Sequence, residues 1–269
     1  MQRHIFTALA TTLAFMLMLS VAVRADAQQL KITVENLNPA EGFFLTPMWF
    51  GLHDGSFDLF EPGAAASAGL ELIAEDGDPS TLQGEFAAPG RLQGVVFGPG
   101  GFGSMAGQPP VIDAGETASA TIDLINPAAY PYFSFASMVI PSNDAFIGNN
   151  NPIGYELFNA MGEFIGPTTI EIHGDMIWDS GTEVNNTAGA AFSEFGMDMA
   201  TDEGGTVMAH PGLSNFEGVG TPVGTIGAGL APGANDLVAR ITITQIPEPV
   251  SLALVALGAI GLASARRRE

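Results

Sequence analysis

Oxygen-bearing side chains gather in two turn-rich segments of this 269-residue chain. The first, PSNDAFIGNNNP at residues 141–152, contains Asp144 and directly follows an apolar run. The second, IWDSGTEVNN at residues 177–186, places Asp179 and Glu183 on either side of a Ser-Gly-Thr turn. A hard cation such as Ca²⁺ takes about six to eight oxygen ligands from carboxylates, amides, backbone carbonyls and water. Two such loops at one end of a β-sandwich could supply that set, with Asp144 from the first loop and Asp179 and Glu183 from the second as the candidate metal ligands.

The same composition also has a purely structural interpretation. Asp, Asn, Ser and Gly are the ordinary residues of turns, and Asn-rich loops can be held by hydrogen bonds to their own backbone. Gly181 would allow the second loop to turn sharply enough to aim both of its acids inward. The residues alone therefore leave two interpretations open, a metal site or two self-satisfied turns.

Other candidate sites are weaker. The acidic segment at residues 75–78 lacks the spacing of an EF-hand loop, which predicts a solvated turn. His53 and His210 precede turn residues and are expected to be structural, whereas His173 lies near Asp179 in sequence and could neighbour the metal loops. No histidine pair has a zinc spacing and no G-x-S-x-G elbow is present, so we predict no catalytic residues.

The elements that must position the loops are mostly β-strands. Apolar and polar residues alternate with the period of half-buried antiparallel strands at residues 31–37, 117–124, 170–173 and 239–245. Residues 132–140 are apolar on both faces and predict a central strand, and residues 64–75 predict the single short helix. Few helices, many short strands and abundant Gly and Pro predict an all-β, antiparallel β-sandwich.

The N-terminus predicts export. Residues 1–27 combine an early arginine, an apolar centre and an A-x-A pattern at Ala25 and Ala27, which is typical of a cleaved signal peptide.

The C-terminus resembles the PEP-CTERM sorting signal of Gram-negative bacteria. Pro-Glu-Pro at residues 247–249 precedes an apolar helix at 250–265 and three arginines, so the signal covers residues 247–269. At ~1.5 Å per residue the helix would be about 24 Å long, short for a hydrocarbon core of ~30 Å. The resemblance implies transient inner-membrane retention, removal of the tail by an exosortase, and delivery to the cell surface or extracellular polysaccharide. The alternative is a permanent single anchor helix.

The charge of the chain excludes several partners. Its formal net charge is −21, and only Lys31, Arg91 and Arg240 remain basic between the two terminal segments. Such an acidic body opposes binding to nucleic acid or anionic lipid and favours cations. We therefore expect membrane contact only transiently, through the C-terminal helix. The chain has no cysteine, so no disulfide supports the exported domain.

The body resembles the spondin N-terminal domain family from about residue 30 to residue 245. The segments that carry the resemblance are FFLTPMWFGLHDGSFDLFEPGAAASAGLELIAEDGDP, FSFASMVIPSNDAFIG and WDSGTEVNN. The resemblance implies a C2-like β-sandwich that binds calcium through loops at one edge, with Asp144, Asp179 and Glu183 at the matching motif positions. This chain departs from animal members in having Glu183 where an aspartate is usual, and in lacking their cysteines.

Three functions follow as expectations. The first is a non-enzymatic, calcium-stabilised surface or extracellular-matrix protein that binds an extracellular polysaccharide or a surface protein. The second is a secreted hydrolase whose loop carboxylates act as general acid and base. The third is calcium-gated membrane docking, which the scarcity of basic residues disfavours.

Overall fold

The computed structural model describes residues 28–99, 110–166, 168–193, 201–222 and 224–246. The predicted signal peptide at 1–27 and the predicted sorting segment at 247–269, with its helix at 250–265, lie outside these residues. Gln29–Ile246 forms one compact unit. Within the described ranges, no helix has both the length and the apolar character needed to cross a membrane.

One sheet of the sandwich has four antiparallel strands in the order β5-β1-β13-β8. Their bounds are Gln29–Asn36 (β1), Thr117–Asp123 (β5), Thr168–His173 (β8) and Leu237–Ile246 (β13). β1 alternates as its sequence predicts, because Leu30 and Ile32 are buried while Lys31 between them is exposed. The long pairing of β1 with β13 joins the two ends of the domain.

The other sheet has the order β10-β9-β7-β6-β3-β4, and the short strand β2 also pairs with β6. The bounds are Phe44–Leu45 (β2), Met48–His53 (β3), Leu92–Val96 (β4), Tyr132–Ile140 (β6), Ala145–Gly148 (β7), Ile177–Asp179 (β9) and Met208–Ala209 (β10). A separate hairpin consists of Gly220–Thr221 (β11) and Gly224–Thr225 (β12). Three short 3-10 helices lie at Pro127–Ala129, Gly174–Met176 and Ser214–Phe216.

Two α-helices cover the outer face of this second sheet. Helix α1, Ala68–Asp76, begins after Ser67, whose hydroxyl accepts a hydrogen bond from the Leu70 N–H, and ends at Gly77 in the left-handed conformation. Helix α2, Ser80–Phe86, follows at once. An apolar cluster forms between the helices and the sheet and includes Trp49 and Phe86. Central strand β6 is therefore buried on both faces, by the facing sheet and by the helices.

The structure confirms the predicted all-β antiparallel sandwich and its central strand, and corrects two details. The described part of the domain has two α-helices where one was predicted, and α1 starts four residues after residue 64 because Ser67 caps it. The polar segment at 141–152 is not one continuous loop, since β7 lies inside it and pairs with both β6 and β9. The segment is therefore divided into a tight turn at residues 141–144 before β7 and a loop at residues 149–152 after it.

Candidate metal centre

The pairing of β7 with β9 brings the two predicted loops together. Ala145 lies opposite Asp179 in this ladder, so the adjacent Asp144 is placed beside the second loop. The turn before β7 is fixed by Ser142, whose hydroxyl donates to the Val139 carbonyl at 2.6 Å and accepts from the Ala145 N–H at 3.1 Å. The position of Asp144 thus follows from the sheet register.

Asp144 is fully buried and half of its carboxylate is tightly bound. Oδ2 accepts hydrogen bonds from the Ser180 hydroxyl at 2.9 Å, the Thr182 N–H at 3.0 Å and the Glu183 N–H at 3.1 Å. Oδ1 has no hydrogen-bond partner among the residues that the structure describes. Buried polar oxygens are normally paired, so this orphan acceptor requires an explanation.

Asp179 shapes the second loop. Its Oδ1 accepts from the Gly181 N–H at 2.7 Å, and its Oδ2 accepts from Asn185 Nδ2 at 2.5 Å. Gly181 has φ 71°, and a Cβ there would lie 2.5 Å from the backbone N and O of Thr206. Only glycine fits this position without strain, as the sequence predicted.

The negative charge of Asp179 acts on the buried carboxylate of Asp144. Burial, followed by the negative charge of Asp179, raises the pKa of Asp144 from 3.8 to about 6. The hydrogen bonds from the second loop oppose that rise but do not cancel it. Two adjacent desolvated carboxylates favour either a shared proton or a cation.

The carboxylate of Glu183 is oriented differently from what the predicted ligand set with Asp144 and Asp179 requires. Its backbone N–H binds Asp144, but its carboxylate accepts from the N–H of Thr201 at 2.9 Å and from the Thr201 hydroxyl at 2.6 Å. In the described part of the chain, no three histidine, cysteine, aspartate or glutamate residues are arranged to hold a metal ion. The structure brings Asp144 and Asp179 together, and the three-carboxylate site stays a prediction.

Glu75 is a neighbour of the site that the sequence did not identify. The acidic segment at 75–78 was predicted to be a solvated turn, yet Glu75 is half-buried at the end of α1 and its side chain hydrogen-bonds Thr182. Burial first, then the charges of Glu183, Glu71 and Asp144, raise its pKa to about 7. Its only sequence signal is a place in the last turn of α1, and the packing of that helix brings it to the loops.

The histidine beside the loops is His210 and not His173. Because β10 pairs with β9, His210 follows that ladder, and its Nε2–H donates to Asn185 Oδ1 at 2.7 Å while Nδ1 accepts from the Gly212 N–H. Burial lowers the pKa of His210, against the charge of Asp179. His173 lies on β8 in the other sheet and its Nδ1 is 3.2 Å from the Asn235 carbonyl oxygen.

The residues present fit a cation in part. The orphan Asp144 Oδ1 and the adjacent Asp179 are suitable hard oxygen donors. Asn143 Oδ1 accepts a hydrogen bond from the Asn186 N–H. Its buried Nδ2 group has no partner among the described residues, and because this group is a hydrogen-bond donor, a metal ion would not satisfy it. The donor set therefore rests on the two aspartates.

The fold and this centre define a class of protein: an antiparallel β-sandwich with a buried acidic pair held between two turns at one end of a sheet. The chain belongs to the spondin N-terminal domain family, because the family model Spondin_N matches residues 44–203. That match includes α1 and both acidic loops. No curated protein matches the chain. Family membership indicates a secreted or extracellular protein.

Proposed function

We propose that this chain is a non-enzymatic protein of the cell surface or extracellular matrix whose spondin domain binds Ca²⁺ between the turn at 141–144 and the loop at 179–186. Bound calcium neutralises the acidic pair and cross-links the two segments, and the stiffened domain adheres to an extracellular polysaccharide or a surface protein. The observation that supports this most is the buried Asp144 Oδ1, which lacks a hydrogen-bond donor in the described part of the chain and lies beside a second carboxylate.

The basic side chains that the structure describes all lie elsewhere than at the acidic pair of Asp144 and Asp179. Arg91 lies over the rings of Phe57 and Phe86. Arg240 pairs with Glu35 and Glu171, and Lys31 lies on β1 in the opposite sheet. Since none of them compensates the acidic pair, an external cation is the simplest source of positive charge. Asp144 and Asp179 would hold it, with Glu183 as the third predicted ligand.

Calcium titration of thermal unfolding tests this proposal. Calcium at a hundred times its Kd should stabilise the native chain by ~2.7 kcal/mol and raise its Tm. Asp179→Asn should abolish the rise, while Asp175→Asn, which makes the same change at an exposed aspartate of a 3-10 helix, should retain it. An equal rise in all three proteins, or none in the native chain, would contradict the proposal.

We also propose export from a Gram-negative cell with exosortase processing of residues 247–269. The support is the order of Pro-Glu-Pro, apolar run and arginine cluster. A tag placed after Glu269 should be lost from the mature protein in cells with the protease. Replacing both Pro247 and Pro249 by alanine should leave the tagged chain in the inner membrane, and its normal release would refute this part.

The hydrolase alternative has one favourable observation, the raised pKa values of Asp144 and Glu75, because general acids are often tuned in this way. Against it, Asp144 and Asp179 are both buried, so a substrate cannot reach the two carboxylates without opening the loops. Turnover of polysaccharide or ester substrates that is lost in Asp179→Asn would establish the alternative.

A further inference from the structure

Asn143 lies between the two acidic segments. Its Oδ1 accepts a hydrogen bond from the Asn186 N–H at 3.1 Å, across the same gap in which the second loop donates to Asp144. The residue is 1 % exposed. The side-chain amide of Asn143 is therefore fixed by the second loop and shielded from bulk solvent.

The Nδ2 group of Asn143 is a buried donor without an acceptor among the residues that the structure describes. Exchanging the amide oxygen and nitrogen does not help, because the Asn186 N–H would then face another donor. The next residue presents the opposite case, since Asp144 Oδ1 is a buried acceptor without a donor. Two consecutive residues of one turn thus leave a donor and an acceptor unpaired, which is uncommon in protein interiors.

Water and calcium satisfy this pair of groups differently. A water molecule both donates and accepts, so a hydrated site satisfies both groups. A calcium ion binds oxygen lone pairs, so it satisfies Asp144 Oδ1 and leaves the amide hydrogens of Asn143 unpaired. The positive end of the amide dipole also repels a cation bound at the adjacent residue. Asn143 therefore opposes the replacement of water by calcium.

The second loop weakens calcium binding further. Its backbone and side chains already donate hydrogen bonds to Asp144 Oδ2 and to both carboxylate oxygens of Asp179. These donors stabilise the ionised carboxylates in the calcium-free protein, so the ion gains less free energy by binding them. The balance of donors and acceptors favours the weak end of the range of protein calcium sites, which for extracellular modules is a Kd of about 10⁻⁴–10⁻³ M.

We propose that Asn143 holds the Kd of this centre for calcium at about 10⁻⁴–10⁻³ M, so that the ion is bound and released as its extracellular concentration changes. The inference rests on the proposed calcium function and adds the regulation of that same site. An aspartate at position 143 would still accept from the Asn186 N–H, and its second oxygen would replace the unpaired donor by a metal ligand. Asn143 thus makes the centre a reversible switch and not a permanent structural site.

Thermal unfolding of the purified full-length chain in a calcium series from about 10⁻⁶ to 10⁻² M, at constant ionic strength, gives the Kd. Asn143→Asp should bind calcium at least about tenfold more tightly than the native chain, because leaving a buried donor unpaired corresponds to about five- to 150-fold in a binding constant. In EDTA the same variant should have a lower Tm, since it adds a carboxylate beside Asp144 and Asp179. A purely structural role for Asn143 would not give effects of opposite sign in the two buffers.

Thr187→Asp is the matched control for the added charge. Thr187 is exposed and directly follows the loop at 179–186, so this variant adds a carboxylate near the centre and leaves Asn143 in place. It should change the Kd less than about threefold, as expected for a charge that solvent screens.

The outcomes separate this inference from the proposed function. A native Kd below about 10⁻⁵ M would overturn the inference and leave the proposed function in place. Equal tightening by Thr187→Asp and Asn143→Asp, or an Asn143→Asp chain as stable as the native chain in EDTA, would also overturn it. If Asn143→Asp binds calcium and the native chain does not, the inference is supported and the proposed function is refuted. Absence of calcium binding by both chains would refute both.

Discussion

Replacing Asp144 by asparagine should change the stability of the protein in opposite directions with and without calcium. In EDTA at pH 8, the native chain contains a desolvated carboxylate beside Asp179, and its pKa is raised from 3.8 to about 6. The asparagine side chain would remove one of the two charges and keep an oxygen for the donors of the second loop. With calcium present, the same substitution removes a proposed ligand.

The size of the stability change in EDTA follows from the pKa of Asp144. Each pKa unit corresponds to ~1.4 kcal/mol, so ionised Asp144 is about 3 kcal/mol less favourable in the folded protein than in the unfolded chain. The hydrogen bonds at Oδ2 are already included in that pKa, but the amide group that asparagine places at the Oδ1 position would be a buried donor without an acceptor among the described residues, which offsets roughly half of that gain. We therefore expect Asp144→Asn to be about 1–2 kcal/mol more stable than the native chain in EDTA at pH 8.

The pH dependence provides an internal check. Because the pKa of Asp144 is raised by folding, the folded state binds more protons between about pH 4 and pH 6, and native stability falls as the pH rises through that window. The variant lacks this contribution, so its advantage should disappear at pH 4. Calcium at a hundred times Kd should reverse the order at pH 8 by adding ~2.7 kcal/mol to the native chain alone.

Urea unfolding followed by circular dichroism measures these differences. The matched control is Asp175→Asn, which should differ little from the native chain in every buffer because Asp175 is exposed. If Asp144→Asn destabilises the protein equally at pH 4 and pH 8 in EDTA, the carboxylate is not under electrostatic stress and the reasoning fails.

Three further predictions concern the stability of the domain that holds the site. Gly181→Ala should cost about 2 kcal/mol or more, because it adds a Cβ 2.5 Å from the Thr206 backbone at φ 71°. Burial, then the charge of Arg91, lowers the pKa of His53 to about 4, so stability should be full above pH 6.5 and fall towards pH 4. That loss should be on the order of 2 kcal/mol after allowance for solvent screening, and His53→Gln should remove it. Ser67→Ala should cost about 1 kcal/mol through loss of the cap of α1. Urea unfolding measures all three.

Each of these has a control in the same chain. Gly204 has φ 65° and open space around its Cβ position, so Gly204→Ala isolates the strain from the clash and should cost less than Gly181→Ala. A His53→Gln protein that keeps the full pH dependence between 6.5 and 4 would show that another group causes it. Ser67→Gly should cost only a few tenths of a kcal/mol, and an equal loss in glycine and alanine variants would argue against capping.

Local patterns predicted the long strands of this fold. Alternation between buried Leu30 and exposed Lys31 is a property of one strand, and the double-sided apolar character of β6 is visible in its own residues. The short strands β7 and β9 have four and three residues, too few for a period to be evident. β7 forms because the neighbouring β6 supplies a template, and β9 pairs in turn with β7, so both depend on information from elsewhere in the chain.

The acidic site was likewise predicted in part from local sequence patterns, while the rest depends on contacts with distant parts of the chain. Residue types and turn spacing pointed to Asp144 and Asp179, and the β7–β9 register brings them together. The carboxylate of Glu183 faces Thr201 because an isolated bridge joins Glu183 to Asp202, a contact without a local signal. Glu75 reaches the loops from a helix far earlier in the chain, so only tertiary packing reveals it.

The most direct test of the central claim is the amount of calcium bound per chain at equilibrium, measured by isothermal titration calorimetry together with metal analysis. We expect one calcium ion per native chain at pH 8, weaker binding at pH 5 as Asp144 takes up a proton, and no binding after Asp179→Asn. A native chain that binds no calcium, or an Asp179→Asn chain that binds it equally well, would contradict the account.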